Sequence, residues 1–278
     1  MTKPLCIYHS IDGIQHCDDG FGAAWAVWKA HGDTFDYYPG VYQIPPPEVK
    51  DREVVLVDFS YKIPIIQAMA ETAKSILILD HHKTAKDDLE PLSRYKKYRN
   101  VSLCFDLRRS GARIAWEHYH LETPIPSLLA HIEDRDLHRF DLPGTMEISM
   151  ALRAYPQTFE QWDELMACPL DDLYHDGSAI YGWFKKQVGV LRQAAMTQTI
   201  GGHTVPVVNA PIMFASDVAS ILAETHLFAA CYWDSPMGRV YSLRSHKNGM
   251  DVSEIAKLYG GGGHRHAAGF KLEPGKAL

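Results

Sequence analysis

Three short apolar runs constrain the fold most strongly, because each one ends in a residue that can bind a metal ion. Residues 5–9 end at His9, residues 54–58 at Asp58 and residues 76–80 at Asp80. Uniformly apolar strands are typical of a parallel sheet that is covered on both faces. Helical patterns alternate with these runs up to about residue 140, and this alternation predicts an α/β fold.

The length of the chain, 278 residues, favours more than one domain. We predict a parallel-sheet domain at residues 1–177, a connecting helix at 178–198 and a smaller α/β domain at 199–278. Helical spacing of apolar residues indicates the connector, and short strand patterns separated by turn residues indicate the last domain.

Composition and charge limit the classes of partner. The net charge is −6, so the broad basic surface that binds long duplex DNA or RNA is not expected. No apolar stretch reaches the ~18 residues of a membrane span, and the N-terminus has no signal-peptide pattern. Five widely spaced cysteines argue against a disulfide framework or a structural zinc knuckle. We therefore expect a cytoplasmic protein that binds no membrane, and a homodimer stays open.

Metal-competent side chains gather where the apolar strands end. In an open parallel sheet, ligands bind at the carboxyl ends of the strands, where His9, Asp58, Asp80 and His81 are predicted to lie. A single residue of this kind is most often a structural strand cap. Three equivalent strand ends favour a metal site instead.

Acidic residues from two other segments could complete this site. The loop after the first strand carries Asp12, Asp18 and Asp19, and crowded carboxylates repel each other unless a cation neutralises them. Asp18 or Asp19 could instead only cap the helix that follows. The acidic end of a later helix offers Asp134 and Asp136, although this segment could also be an exposed charged face.

The types of side chain indicate which ion would bind. The chain has 15 histidines and 34 acidic residues, so imidazole and carboxylate ligands are plentiful. Such mixed ligands, without paired thiolates, suit manganese, and magnesium or cobalt could also bind. Two ions that share Asp58 would form a two-metal site, which activates water and stabilises charge on phosphoryl oxygens.

A run of four glycines near the end of the chain predicts a phosphate-binding turn. Consecutive glycines let the backbone approach an anion and point its N–H groups inward, and an arginine adds a bidentate fork. The alternative is a plain helix stop. The candidate substrate-binding residues are Arg244, Gly261, Gly262, Gly263, His264, Arg265 and His266.

Taken together, these residues resemble the DHH phosphoesterase superfamily. His9, the Asp19-Gly20 loop, Asp58, the Asp-His-His triplet at 80–82 and Asp136 occur in the order of its four motifs. The glycine run resembles a motif of the DHH-associated C-terminal domain, and the resemblance covers nearly the whole chain. The superfamily includes oligoribonucleotide hydrolases, bisphosphonucleoside phosphatases, cyclic-dinucleotide hydrolases, RecJ-type exonucleases and family II pyrophosphatases.

The resemblance implies a role for each matching residue, with Asp58 as a bridge between two ions. The implied metal ligands are His9, Asp19, Asp58, His81 and Asp136. Two catalytic residues are also implied: Asp80 would orient the adjacent imidazoles, and His82 would lie near the scissile phosphate as a hydrogen-bond donor or acid.

The first motif departs from the family pattern. The family often has His-x-x-x-Asp-x-Asp, whereas a longer segment here separates His9 from Cys17, which stands near the place of a carboxylate. Asp12 or Asp18 could substitute, Cys17 could coordinate, or the second ion could be weakly held. We expect a carboxylate, because a loop with three aspartates need not recruit a thiol and such cysteines are mostly buried packing residues.

The sequence therefore predicts a divalent-metal-dependent phosphodiesterase or phosphatase, of an exonuclease-like kind, for short oligonucleotides or small nucleotides. A phosphate-binding turn on a separate domain favours a substrate with two recognition points, such as a linear dinucleotide or a bisphosphonucleoside. One alternative is a pyrophosphatase or polyphosphatase, although these usually carry a Lys- or Arg-rich C-terminal signature. Another is a non-catalytic nucleotide sensor that kept the fold.

Overall fold

The structure is a computed structural model, and it divides into two compact α/β units. Unit 1 spans Met1–Tyr181 and unit 2 spans Gly182–Leu278. The residues that the structure describes are 2–11, 13, 17–94, 96–276 and 278. The predicted fold class, a parallel-sheet α/β region followed by a smaller α/β region, is confirmed, whereas the domain boundaries at 177 and 198 stay predictions.

Unit 1 is built on a five-stranded sheet whose described pairings are all parallel. In chain order the strands are β1 (Leu5–His9), β2 (Asp36–Gly40), β3 (Glu53–Val57), β4 (Ser75–Asp80) and β5 (Val101–Phe105). Their order in the sheet is β2-β1-β3-β4-β5. The three strands that the sequence predicted are the three inner ones.

Helices connect these strands and cover the sheet. They are α1 (Asp18–His31), α2 (Ile63–Thr72), α3 (Lys83–Leu89), α4 (Gly111–Tyr119), α5 (Ser127–Asp136), α6 (Thr145–Leu152), α7 (Phe159–Ala167) and α8 (Leu170–Leu191). Ser110 caps α4, because its Oγ accepts a hydrogen bond from the backbone N–H of Arg113 at 3.3 Å. No helix within the described part of the chain is long and apolar enough to cross a membrane.

The unit 1 sheet is buried on both faces, as the uniformly apolar strands predict. Successive side chains of a strand point to opposite faces, so Val55 and Val57 of β3 join one apolar cluster while Val54 and Leu56 join the other. The first cluster includes Trp25 of α1, which the helices cover completely. This two-sided burial holds the strand ends in fixed positions.

Unit 2 contains a smaller mixed sheet of six strands. They are β6 (Met196–Ile200), β7 (His203–Asn209), β8 (Ala229–Ser235), β9 (Gly238–Arg244), β10 (Gly262–Gly263) and β11 (Ala267–Leu272), and its helices are α9 (Ile212–Ala223) and α10 (Val252–Leu258). The sheet order is β10-β11-β9-β8-β7-β6, and only the β7–β8 pairing is parallel among those described. A hairpin turn joins β6 and β7, and its Gly201 and Gly202 both have positive φ.

The connecting segment differs from the prediction in its bounds. The long helix α8 begins at Leu170 and ends at Leu191, whereas the sequence predicted a helix at 178–198. Residues 196–198 lie in β6, where they pair with β7. Met196 and Thr197 are both exposed, so this edge strand lacks the apolar pattern by which a strand could be told from a continuation of the helix.

Candidate active site

The candidate site lies at the carboxyl edge of the unit 1 sheet. His9 is the last residue of β1, Asp58 directly follows β3, and Asp80 is the last residue of β4. The strand registers hold these three residues at the same level. Because the sheet order reverses between β1 and β3, His9 and Asp58 flank the switch point at which such sheets bind ligands.

Asp58 is at the centre of this site. It is 1% exposed, and its backbone is left-handed, with a φ of 52°. Its Oδ1 lies 3.0 Å from Nε2 of His81, and its Oδ2 lies 3.3 Å from Nδ1 of His9. Helix α4 begins against it, since a Cβ added at Gly111 would come within 2.3 Å of the Asp58 Cβ. Buried residues in strained backbone conformations are concentrated at functional sites.

Three carboxylates surround one imidazole nitrogen. Nε2 of His81 lies 3.0 Å from Asp58, 3.5 Å from Asp19 and 3.5 Å from Asp136. His81, Asp19 and Asp58 are each about 1% exposed. In addition, Oδ2 of Asp136 is buried without a hydrogen-bond partner in the described structure. Such a concentration of negative charge is stable only when a cation offsets it.

Asp19 is positioned by two helices at once. It lies in the first turn of α1, and its oxygens accept hydrogen bonds from the N–H groups of Gly111 at 2.6 Å and Ala112 at 2.9 Å. Helix α1 reaches the site because Gly20 packs against β1, where an added Cβ would lie 2.4 Å from the carbonyl oxygen of His9. Glycine is therefore required at this contact, and it brings Asp19 to the strand ends.

The pKa values of these groups are shifted in opposite directions. Burial, together with the charges of Asp58 and Asp136, raises the pKa of Asp19 well above its usual range. Burial opposes ionisation of Asp58 as well, but its hydrogen bond from His81 and the charge of that imidazole hold its pKa well below normal. Burial would lower the pKa of His81, yet the carboxylates raise it well above normal. A proton on His81 therefore offsets part of the negative charge that a divalent cation would neutralise.

The second imidazole of the triplet is oriented by a fully buried carboxylate. Asp80 is 0% exposed, and its Oδ1 lies 2.7 Å from Nδ1 of His82. The same oxygen accepts hydrogen bonds from the N–H groups of His81 and His82, while Oδ2 accepts one from the hydroxyl of Ser60 at 3.0 Å. Burial would lower the pKa of His82, but Asp80 raises it. Asp80 thus fixes the ring of His82 and favours its protonated form.

The first loop contributes Cys17 to the site. Ligand atoms of Cys17, His9 and Asp58 all lie within 4.8 Å of one another. Asp18 points to other partners, because its oxygens lie 3.5 Å from Nη1 of Arg135 and 3.4 Å from Nε2 of Gln157. The remaining candidate of this loop, Asp12, lies outside the described residues.

The structure holds Asp134 in a different environment from Asp136. Its oxygens accept hydrogen bonds from the N–H groups of Asp141 and Leu142 and from the hydroxyl of Thr145. Asp134 therefore closes the turn between α5 and α6. Asp136, which follows one helical half-turn later, is the carboxylate of this helix that meets His81.

The candidate residues of unit 2 group around the end of β9. Nε of Arg244 donates to the hydroxyl of Ser216 at 3.1 Å, and its Nη1 donates to the hydroxyl of Ser242 at 3.1 Å. Nδ1 of His266 lies 2.9 Å from the hydroxyl of Ser245, and the exposed Arg265 lies 3.7 Å from Asp251. The hydrogen bonds to Ser216 and Ser242 hold the Arg244 guanidinium at the end of β9, an inner strand of the sheet.

The glycine run has a steric role within unit 2. A Cβ at Gly261 would lie 2.1 Å from the carbonyl oxygen of Gly269, and one at Gly263 would lie 2.6 Å from that of Ala267. The N–H groups of Gly261 and His264 donate to backbone carbonyls, those of Ala256 and Ala267. These two N–H groups are therefore used by the turn itself, and a bound anion would rely on neighbouring groups such as Arg244.

Two further residues, Tyr42 and Ser60, border the site, although neither belongs to a sequence motif. The ring of Tyr42 is 43% exposed and lies 5.3 Å from that of His9 and 6.3 Å from that of His82. Ser60 holds the second oxygen of Asp80. Ser60 follows a predicted strand end, which was the one available signal, whereas Tyr42 follows β2, an edge strand that was not predicted.

The donor set fits a divalent metal ion. Groups whose ligand atoms lie within 4.8 Å of one another include the buried set Asp19, Asp58 and His81, and a second set in which the half-buried His9 and Cys17 join Asp58. Asp58 belongs to both sets, which is the arrangement of a shared carboxylate between two ions. Buried carboxylates and imidazoles in these numbers match the ligands that divalent ions take in catalytic sites.

Comparison of sequences finds a relative whose function is uncharacterized. No protein-family model matches the chain. The chain is 30% identical over 292 residues to an uncharacterized protein, R106, of Acanthamoeba polyphaga mimivirus. The match covers 96% of this chain and 66% of that protein, so the chain spans about two thirds of its relative's length.

Two solved structures are similar over nearly the whole chain. The pGpG-specific phosphodiesterase PggH of Vibrio cholerae has a TM-score of 0.51 and 14% identity, over 98% of this chain and 94% of that one. An exopolyphosphatase-related protein from Bacteroides fragilis has a TM-score of 0.47 and 14% identity, over 99% and 88%. At this identity the similarity to PggH shows a shared fold, and function has to be argued from the site itself.

Proposed function

We propose that this protein is a divalent-metal-dependent phosphoesterase of the DHH type that hydrolyses short oligonucleotides or small nucleotides. One observation carries the proposal: three carboxylates converge on Nε2 of His81 at the switch point of the parallel sheet. The shared fold with a phosphodiesterase is in keeping with this chemistry.

The residues that would hold the metal belong to two sets that share Asp58. Asp19, His81 and Asp136 complete the first set with Asp58, and His9 belongs to the second. Manganese suits oxygen and imidazole ligands, and magnesium or cobalt are the other candidates. When bound, such ions act as Lewis acids toward phosphoryl oxygens and make water a stronger nucleophile.

The chain's own residues supply the remaining functions. Asp80 holds the ring of His82 through Nδ1 and raises its pKa, so a protonated His82 can donate to an oxygen of the scissile phosphate. The strained backbone of Asp58 directs its two oxygens to different imidazoles. The guanidinium of Arg244 in unit 2 would bind a second phosphate of the substrate.

A substrate panel tests the proposal. The purified protein is given pGpG, a second linear dinucleotide, a bisphosphonucleoside, a cyclic dinucleotide and pyrophosphate, each with manganese and with a chelator. We expect linear dinucleotides or the bisphosphonucleoside to be hydrolysed when manganese is present and not when the chelator is present. Faster hydrolysis of pyrophosphate than of the nucleotides would contradict the proposal and indicate a pyrophosphatase. Binding of nucleotides without hydrolysis would indicate a nucleotide sensor.

Asp58→Asn is the most informative variant for this site. Asparagine tolerates a left-handed backbone, so the fold should persist, while the loss of a shared ligand should lower kcat by about 1000-fold. Asp36→Ala is the matched control, because it removes an exposed carboxylate at the amino end of β2. Activity of Asp58→Asn within a few-fold of the wild type would contradict the assignment.

A further inference from the structure

Cys17 lies beside two residues that can bind a metal ion, His9 and Asp58. Its sulfur lies within 4.8 Å of ligand atoms of both His9 and Asp58. The three residues come from different parts of the fold: the end of β1, the residue before α1 and the residue after β3. One imidazole, one carboxylate and one thiol meeting at a point is a set that can bind a transition-metal ion.

Cys17 stands at the start of helix α1. Cys17 is the N-cap residue of α1, with φ −66° and ψ 137°, and its carbonyl oxygen accepts a hydrogen bond from the N–H of Phe21 at 2.8 Å. The close approach of Gly20 to His9 anchors the same helix turn on β1. The thiol is therefore presented from a rigid helix start.

The neighbouring carboxylates are occupied in other ways. Asp18 points to Arg135 and Gln157. Asp19 binds the start of α4 and lies 3.5 Å from Nε2 of His81. Within the described residues, the side chain of the first loop that joins His9 and Asp58 is thus Cys17.

We propose that Cys17 binds a metal ion as a thiolate, together with His9 and Asp58. The thiol proton passes to solvent as the ion binds, so charge and atoms balance. This inference rests on the proposed metal centre and makes its two halves chemically different. The half that contains Asp19, His81 and Asp136 offers oxygen and nitrogen, whereas the half that contains Cys17 adds sulfur and favours a softer ion such as zinc or cobalt over manganese.

Cobalt titration tests the thiolate directly, because a Co²⁺–thiolate bond gives an intense near-ultraviolet charge-transfer band. We expect this band in the wild type and in Cys104→Ser, a control at an exposed cysteine of β5. It should be absent in Cys17→Ser and in Cys17→Asp. Zinc affinity of this half should fall by at least about 100-fold in Cys17→Ser, since the loss of even an outer-shell partner costs about 10–100-fold.

Cys17→Asp makes a second comparison. A carboxylate restores three ligands, so this variant should bind two ions again, with a smaller preference for zinc over manganese than the wild type shows at this half. Alkylation of the wild type mapped by mass spectrometry needs no variant at all. Zinc should protect Cys17 and leave Cys104 reactive.

The outcomes separate this inference from the proposed function. A wild type that hydrolyses nucleotides with manganese, but shows no thiolate band and no zinc protection of Cys17, would overturn the inference and leave the function standing. A thiolate band in a protein that hydrolyses nothing on the panel would support the metal site and reject the function. Binding of two zinc ions by Cys17→Ser with unchanged affinity would also overturn the inference.

Discussion

At the scale of single residues, Asp58 and Asp19 show that a sequence motif predicts which residues are ligands but not their backbone conformation or tertiary contacts. The motif order pointed to both as ligands, but nothing in it indicates the left-handed backbone of Asp58. Asp19 was weighed as a cap of its own helix, and it binds instead the start of α4, 92 residues further along the chain. Such contacts depend on tertiary packing, which local propensity does not encode.

A residue-scale prediction concerns Asp136. Burial and the charge of Asp58 raise the pKa of this carboxyl, which means that its ionised form is disfavoured in the absence of metal. Asp136→Asn should therefore raise the melting temperature of the chelated protein, by about 2–4 °C for each kcal/mol of relieved repulsion. It should also reduce the stabilisation that manganese gives.

Thermal melting with chelator and with manganese measures both effects. Asp163→Asn, at a surface carboxylate paired with Lys29, serves as the control and should change neither value. The proposed role of Asp136 would be contradicted by two results together. Asp136→Asn with chelator would melt at a lower temperature than the wild type, and manganese would raise its melting temperature as much as it does for the wild type.

At the scale of elements, burial decides which strands a sequence reveals. The inner strands β1, β3 and β4 are apolar along their length and were predicted. The edge strands were not predicted, because β5 alternates between half-buried and exposed residues and β2 contains two tyrosines and a proline. Helix α2 begins with a short apolar run, which periodicity alone does not distinguish from a strand.

The turn between α5 and α6 supports a prediction about acid stability. Asp134 is 3% exposed; burial alone would raise its pKa, but hydrogen bonds from Thr145, Asp141 and Leu142 to the ionised form lower it. A carboxyl with a depressed folded-state pKa stabilises the fold above its unfolded pKa of about 3.9 and loses that contribution as the pH falls. Asp134→Asn should lower the free energy of unfolding by about 1–3 kcal/mol at pH 7. On acidification, the free energy of unfolding of this variant should then fall less than that of the wild type.

Urea unfolding with chelator at pH 7 and at about pH 2.5, which is below the unfolded pKa, measures this difference. Asp141→Asn is the matched control, because this neighbouring side chain is exposed and its variant should follow the wild type at both pH values. Equal losses of stability by Asp134→Asn and the wild type between pH 7 and about pH 2.5 would show that Asp134 does not carry the acid sensitivity.

At the scale of the whole molecule, the two α/β units could be predicted because each has its own alternation of strands and helices. The chemistry divides in the same way, with the carboxylates and imidazoles concentrated in unit 1 and Arg244 in unit 2. The glycine run of unit 2 was predicted as a phosphate-binding turn, whereas Gly261 and Gly263 are also required by their close packing against β11. Sequence alone does not separate these two requirements, since both call for a missing Cβ.

A prediction at this scale concerns Arg244. If unit 2 binds a phosphate remote from the chemistry, Arg244→Ala should raise KM by roughly 10-fold or more and change kcat little, because that contact is made equally in the ground and transition states. His264→Ala should act in the same direction. Arg239→Ala is the control on the same strand, where the guanidinium is exposed and paired with Asp234.

Steady-state kinetics on the best substrate of the panel decides between the outcomes. Normal KM with strongly reduced kcat in Arg244→Ala would place this residue in the chemical step. An effect of Arg239→Ala equal to that of Arg244→Ala would indicate a general loss of positive charge instead of a specific contact.

The strand registers at the site also bear on how such a protein can change over time. A residue inserted within β3 would move every following side chain to the opposite face and carry Asp58 away from His9. An insertion between His9 and Cys17 has no such effect, because the sheet fixes one end of this loop and helix α1 fixes the other. The length of this segment can therefore vary while His9 and Asp58 stay in place, at little cost to the proposed metal centre.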